Sequence, residues 1–199
     1  MISPKTIGVV ILAAGSSSRL GRPKQLVEHE GKRLLQHAID CCEKLSFGAK
    51  HIILGANSEK ILPLTNLKGF TSYLNESWQN GLSGSIQLAI QKASSNPKIQ
   101  HLLFLLSDQP FITSTLIEEL MEVHEEITAC EYKWQLGVPA IFSKKYFDEL
   151  ATLTGDKGAK PVLMRHKEVV KKIVFEKGSI DIDTEEDIEQ LNALKQSAE

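Results

Sequence analysis

Residues 9–24 read VVILAAGSSSRLGRPK, and no other stretch constrains the fold as strongly. An unbroken apolar run over 8–13 ends just before Gly15. Ser16, Ser17 and Ser18 follow, then Arg19, Gly21 and Lys24. A buried strand running into a glycine-rich turn presents backbone N–H groups, and here two cations stand close behind. Such a turn suits the phosphates of a nucleotide. It is neither of the common phosphate loops: GxxxxGK[ST] is absent, and GxGxxG does not follow the strand.

Strand-like and helix-like segments alternate along the rest of the chain. Strands are expected over 7–13, 51–55, 71–74, 101–106, 128–134, 140–142 and 169–175. Helices are expected over 32–44, 58–65 with Asn57 as cap, 82–93, 114–126, 144–150 and 161–166. Thr184, followed by three acids, opens a terminal helix whose positive end they suit. Apolar strands alternating with helices imply a mostly parallel sheet covered on both faces, a three-layer α/β/α arrangement. Ligands in such sheets sit beyond the carboxyl ends of the strands. The 199 residues show no repeat or linker, so one domain is expected over 1–199, with its core over about 6–194 and a frayed end from about 195.

A hydrophobic content of 42% supports a sizeable core, and the net charge of −2 gives no footprint of a nucleic-acid binder. No apolar run approaches a membrane span. The chain opens directly on its first strand, so no secretory leader is expected. Cys41, Cys42 and Cys130 make neither a CxxC pair nor a zinc spacing, which fits a reducing cytoplasm. The six histidines form no HxH or HExxH cluster and are read as structural or exposed.

Four further clusters carry chemistry. Asn75, Trp78, Gly81, Ser83, Gly84 and Ser85 lie in NESWQNGLSGS, where glycines and serines at a helix start offer bare amides and hydroxyls. Asp108 follows the apolar run HLLFLL in Ser107-Asp108-Gln109-Pro110. A carboxylate at a strand's carboxyl end suits Mg²⁺, which takes one or two carboxylates plus phosphate oxygens and water. In Asp181-Ile182-Asp183-Thr184, alternation aims both aspartates the same way. Close carboxylates repel unless a cation relieves them. Finally, Gly155-Asp156-Lys157-Gly158-Ala159-Lys160 is a polar loop with two cations, preceded by Gly137-Val138-Pro139.

These motifs resemble the nucleotidyltransferase superfamily and, within it, the molybdenum cofactor cytidylyltransferase group. The first stretch is similar to L-A-[AG]-G-x-S-x-R-[ML]-G-x-x-K. The second is similar to N-x-x-W-x-x-G-x-x-S-S-[LIV], with Gly84 in place of a serine. Ser107-Asp108-Gln109-Pro110 resembles G-D-x-P, and the DIDT run resembles D-[IV]-D-T-P-E-D with Glu185 in place of the proline. The loop at 155–160 resembles G-D-x-G-[AS]-[RK], so the likeness runs from Ile7 to about Leu191.

The resemblance implies a Rossmann-like nucleotidyltransferase fold. It also implies transfer of a nucleotide from a triphosphate to a phosphate acceptor, with pyrophosphate leaving. Arg19, Lys24 and Asp108 are then catalytic. Leu12, Ala13, Ala14, Gly15, Ser16, Ser17, Arg19, Lys24, Asn75, Gly81, Ser83 and Ser85 hold the nucleotide. Gly137, Pro139, Asp156, Lys157 and Gly158 face the acceptor. Asp108, Asp183 and Asp181 hold Mg²⁺, with Mn²⁺ able to replace it. Ala14 stands where guanylyl-transferring relatives carry a second glycine, so CTP is favoured over GTP. The implied acceptor is molybdenum-bearing molybdopterin, with a molybdoenzyme as client. A sugar or polyol phosphate acceptor stays open, as does a non-catalytic accessory protein that only binds nucleotide.

Overall fold

The computed structural model describes residues 2–122 and 125–196. Residues 123–124 of the helix expected over 114–126 and the frayed tip at 197–199 lie outside the described residues, and 125–126 are not helical. The main sheet uses β1 (Ile7–Ala13), β4 (Ala49–Leu54), β5 (Thr71–Leu74), β6 (His101–Leu106), β7 (Ile127–Tyr132), β8 (Gln135–Ser143) and β9 (Val170–Val174). Two short strands, β2 (Glu28–His29) and β3 (Lys32–Arg33), pair with each other outside it. The main order is β5-β4-β1-β6-β8-β7-β9. Every pairing in it is parallel except those of β8, which is antiparallel to both neighbours.

β1 is buried along its whole length, as a central parallel strand must be. Its residues alternate between two cores: Ile7, Val9 and Ile11 on one face, Val10 and Leu12 on the other. Helices α1 (Leu34–Asp40) and α4 (Ser114–Glu122) supply Leu35, Ile39, Ile117 and Leu120 to the first core. The second is closed by α3 (Leu82–Ser94), α5 (Phe147–Ala151) and α6 (Lys160–Arg165) through Ile86, Leu150 and Leu163. A third, smaller cluster joins Leu20 and Val27 to Ile182 and Leu191, so α7 (Glu185–Gln196) packs beside the loop that follows β1.

Several boundaries differ from the sequence reading. The helix expected over 32–44 begins at Leu34, because Lys32 and Arg33 pair with β2 instead, and it ends at Asp40. α2 (Ser58–Ile61) is short, and a 3₁₀ turn carries Pro63. Asn57 adopts a left-handed conformation with no side-chain cap bond. Gly137, Val138 and Pro139 belong to β8 itself. Partners jump from Ala129↔Ala140 to Cys130↔Gly137, so Val138 and Pro139 bulge from the ladder across a cis peptide.

That bulge opens the sheet where chemistry is expected. β8 stays paired to β6 only as far as Phe104↔Ala140. Beyond it the strands part, and the carboxyl end of β6 is left beside a gap. The chain order also reverses here: β1 has β4 on one side and β6 on the other. A crevice outside the strand ends at such a reversal is where open α/β sheets bind ligands.

Candidate active site

Three of the expected motifs emerge directly from the carboxyl ends of parallel strands: Ala14 from β1, Asn75 from β5, Asp108 from β6. The loop after β1 is pinned from below. Gln25, fully buried, donates through Nε2 to the Ala13 carbonyl at 2.9 Å and the Gly15 carbonyl at 3.4 Å. Ser17, at φ 56°, accepts from the Lys24 amide at 3.0 Å through its hydroxyl. The loop therefore folds back on itself and turns Lys24 toward the end of β6.

There the Lys24 ammonium lies between two carboxylates. It pairs closely with Asp108 and meets Asp183 Oδ1 at 3.1 Å. Arg19 takes the other Asp183 oxygen at 2.5 Å, and Arg22 binds Glu185 through two nitrogens at 2.9 and 3.1 Å. Burial alone would lower the Lys24 pKa, but Asp108 and Asp183 outweigh it and hold the ammonium above its ordinary value. Asp183 is itself oriented by a cap: Asp187 Oδ2 accepts from the Asp183 and Thr184 amides at 2.9 and 2.8 Å. The Thr184 hydroxyl in turn accepts from the Asp187 amide. Those backbone bonds hold the Asp187 carboxyl below its usual range.

Asp181 stands nearby. Crowding by protein and then the Asp108 charge push its pKa up to about 6, while Lys24 pulls it down. Its surface still meets solvent. Among the described residues, no three His, Cys, Asp or Glu side chains are gathered as for a metal ion. Two carboxylates converging on one cation nonetheless match the donor set of a hard ion that takes its remaining ligands from phosphate and water.

A cavity of about 420 Å³ opens on the loop after β1, lined by Ala14, Gly15, Ser16, Trp78, Gly81, Ser85 and Asp156, among others. Gly55 lets its wall close: a Cβ there would lie 2.6 Å from the Ala14 carbonyl and from Trp78 Cβ. Asn75, buried, donates to Ser85 Oγ at 3.0 Å and accepts from the Ser77 amide at 3.1 Å, fixing the start of α3 against β5. Of the residues expected around the nucleotide, Ser83 and Asn75 face a separate depression across the start of α3. Leu12 faces another cavity, described below.

The loop at 155–160 divides between two places. Asp156 accepts from the Leu82 amide at 3.1 Å and so caps α3 at the first cavity. Lys157 and Gly158 line a second, more apolar cavity of about 180 Å³, with Leu12, Leu106, Tyr132, Gly137 and Val138. Pro139 is buried beside it. Gly81 sits at the crossing of the two loops, with φ 93° and room for no Cβ: one would lie 2.6 Å from the Gly155 carbonyl. Gly81→Ala is therefore expected to cost about 1–3 kcal/mol of stability. Urea denaturation checks this, and an unchanged midpoint would show that the loops part freely.

Two side chains that were not singled out in the sequence reading lie at this second cavity's edge. Gln109, 3% exposed, donates to the Gly178 carbonyl at 3.0 Å and the Val138 carbonyl at 3.4 Å. It ties the end of β6 to the β8 bulge and to the turn before Asp181. Tyr132, at the end of β7, points its phenol toward this junction. Desolvation, then the Asp181 charge, push its pKa up to about 12, and the Gln109 amide opposes them. Gln25 and Gln109 each adjoin a predicted residue, which is the only sequence signal they carried.

Comparison with known proteins agrees with this geometry. Residues 9–169 match the family model described as MobA-like NTP transferase domain. The chain is 31% identical to nicotine blue oxidoreductase of Paenarthrobacter nicotinovorans over 92% of its own length and 94% of that protein. It is 26% identical to the molybdenum cofactor guanylyltransferase of Vibrio atlanticus, covering 98% and 100%. The crystal structure of Rv0371c from Mycobacterium tuberculosis H37Rv superimposes with a TM-score of 0.82 at 28% identity, covering 94% and 97%. The complex of Rv0371c with manganese gives 0.77 at 26% identity, with the same coverage. A phosphate-type loop at a strand-order reversal, with a lysine held between two aspartates, and a family match over most of the chain lead to one assignment: this chain belongs to the MobA-like NTP transferase family and is a nucleotidyltransferase.

Proposed function

We propose that the chain transfers CMP from CTP to the phosphate of molybdenum-bearing molybdopterin, releasing pyrophosphate and forming the cytosine dinucleotide. The observation that carries this reading is Lys24, held between Asp108 and Asp183 and anchored on the loop whose Ala14, Gly15 and Ser16 line a nucleoside-sized cavity. A phosphate monoester is largely dianionic near pH 7, so its oxygen attacks the α-phosphorus without a general base. The bond to the pyrophosphate oxygen breaks, and the electron pair leaves with it. Catalysis is then positioning and charge neutralisation. Lys24 neutralises the α-phosphate and the approaching acceptor, and Arg19 with the loop at 15–18 holds the β- and γ-phosphates. Asp108 and Asp183, with Asp181 beside them, would hold Mg²⁺ or Mn²⁺, which when bound supplies charge neutralisation on phosphate oxygens. One domain over the whole chain carries these parts. The free thiols Cys41, Cys42 and Cys130 support a cytoplasmic setting, where a molybdoenzyme would receive the product. Among the described residues no helix is long and apolar enough to cross a membrane.

The test is turnover of CTP and GTP with molybdenum-loaded molybdopterin, read as pyrophosphate and dinucleotide. Pyrophosphate with a sugar or polyol phosphate instead would reassign the acceptor. A second reading comes from the 31% identity to nicotine blue oxidoreductase. Redox turnover of nicotine blue, with no pyrophosphate from any triphosphate, would replace the first.

Base choice gives a separate prediction. Ala14 is 6% exposed, lines the nucleotide cavity and packs at Gly55 beside Trp78. Its methyl group narrows the space for a purine. One pocket group is worth about 1–3 kcal/mol of discrimination, or roughly 10- to 200-fold. Ala14→Gly is expected to relax the preference toward GTP without reversing it, because Trp78 and Ser85 still bound the cavity. Competition between equimolar CTP and GTP measures this. A wild-type product that is mostly guanine dinucleotide overturns the choice of CTP.

A further inference from the structure

The ring of Tyr132 is held between two glycines. A Cβ at Gly137 would land on the Tyr132 hydroxyl and lie 2.6 Å from Cζ. One at Gly178 would lie 2.7 Å from Cδ1 on the same ring. Both glycines sit where Gln109 gathers the backbone: its Nε2 binds the Gly178 carbonyl and the carbonyl of Val138, next to Gly137. Gln109 Oε1, on the same buried amide, has no hydrogen-bond partner among the described residues. Because Nε2 is committed to two carbonyls, the amide cannot be turned over, and Oε1 remains an acceptor. Such a buried, unpaired group costs stability unless a ligand or water satisfies it.

The ring forms part of the wall of the apolar cavity of about 180 Å³, with Lys157 and Lys160 also lining it. The hydroxyl end meets the Gln109 amide, which donates toward its oxygen and leaves the phenolic proton to donate elsewhere, and it feels the charges of Asp181 and Asp108. Its ring packs on Gly178, three residues before Asp181 and bound by Gln109, the residue after Asp108, so Tyr132 stands between that cavity and the segments that carry the carboxylates. Leu82 lines both cavities, so they adjoin.

We propose that Tyr132 is the acceptor-positioning residue: its hydroxyl donates a hydrogen bond to the attacking phosphate while its ring bounds the acceptor's body. This rests on the phosphate-acceptor reading above. The donor has to be neutral and rigid. A third cation here would pair with Asp108 or Asp181, as Lys24 and Arg19 pair with their aspartates. A phenol stays protonated beside carboxylates, and two glycines leave its ring little freedom to turn. No proton moves in this step; the bond only orients the phosphate oxygen toward the α-phosphorus.

The experiment is equilibrium binding of molybdenum-loaded molybdopterin to protein saturated with Mg²⁺ and a non-hydrolysable α,β-methylene CTP, followed by steady-state turnover with CTP. Tyr132→Phe keeps the ring and is expected to retain the wild-type melting temperature and CTP affinity. Its acceptor affinity should fall about 10-fold or more, the loss of one hydrogen bond to a charged group. Gly137→Ala, which drives the hydroxyl aside, should give the same acceptor defect. Wild-type acceptor affinity in Tyr132→Phe overturns the proposal, as does a defect in Gly137→Ala alone, which would belong to the β8 backbone. A loss confined to CTP affinity also overturns it. If the wild-type protein binds no molybdopterin but does bind another phosphate monoester, the proposed acceptor fails and the Tyr132 comparison is decided on that monoester. If it binds none, both readings fall.

Discussion

Asp108→Ala is expected to fold and to lose divalent-dependent turnover by on the order of 100-fold or more. Asp108 is 5% exposed at the end of β6, with Lys24 against its carboxylate. Its neighbours explain why the fold survives. β6 is held by β1 on one side and β8 on the other, and both pairings end before residue 108. What the substitution removes is one of two carboxylates that would hold the ion, together with the group that aims Lys24. Asp183→Ala should show a smaller loss, because that side chain is 32% exposed and water can replace it in part. Turnover measured across a Mg²⁺ or Mn²⁺ titration checks both. Near-wild-type turnover by Asp108→Ala at limiting Mg²⁺ would exclude its role as a metal ligand.

Lys24→Ala is expected to lower kcat by on the order of 100-fold while changing KM for nucleotide far less. Negative charge crowds the α-phosphorus most in the transition state, where dianionic acceptor and leaving pyrophosphate are both near. A cation placed there contributes more to the transition state than to the ground state. Lys24 is well suited to this: its side chain is 18% exposed, and its backbone amide is anchored on Ser17. Arg19, 70% exposed and ion-paired among the described residues with Asp183, should behave differently. Arg19→Ala should chiefly weaken nucleotide binding. Steady-state kinetics with varied CTP separates the two effects. A Lys24→Ala protein altered in KM alone would assign the lysine to ground-state holding.

The parts of this site legible in the sequence are those set by local patterns. An apolar run ending in Gly15 specifies a buried strand and the turn after it, because a strand inside a parallel sheet has to be apolar on both faces. HLLFLL before Asp108 carries the same information. Thr184 with Asp187 three residues on specifies a helix cap, and the cap bonds form as expected. Alternation of strand and helix was enough for the fold class, and the strand-end rule was enough to say that the motifs would meet.

Only the tertiary structure decided which residues meet whom. Lys24 and Asp183 are 159 residues apart, and Asp156 caps a helix whose first amide lies 74 residues away. No local periodicity encodes such pairs. The single reversed strand, β8, and its bulge at Val138 and Pro139 open the second cavity, although the same residues in isolation read as a loop. Gln25 and Tyr132 belong to no motif, and Gln109 fills only the variable position of its motif. They matter because folding buries their polar groups, and a buried polar group must find a partner or leave one unmet. The sequence by itself determined the strands, turns and charges that could serve a nucleotide. Packing determined that Lys24 stands between two aspartates and that Tyr132 is wedged between two glycines, since both follow from contacts between segments distant in the chain.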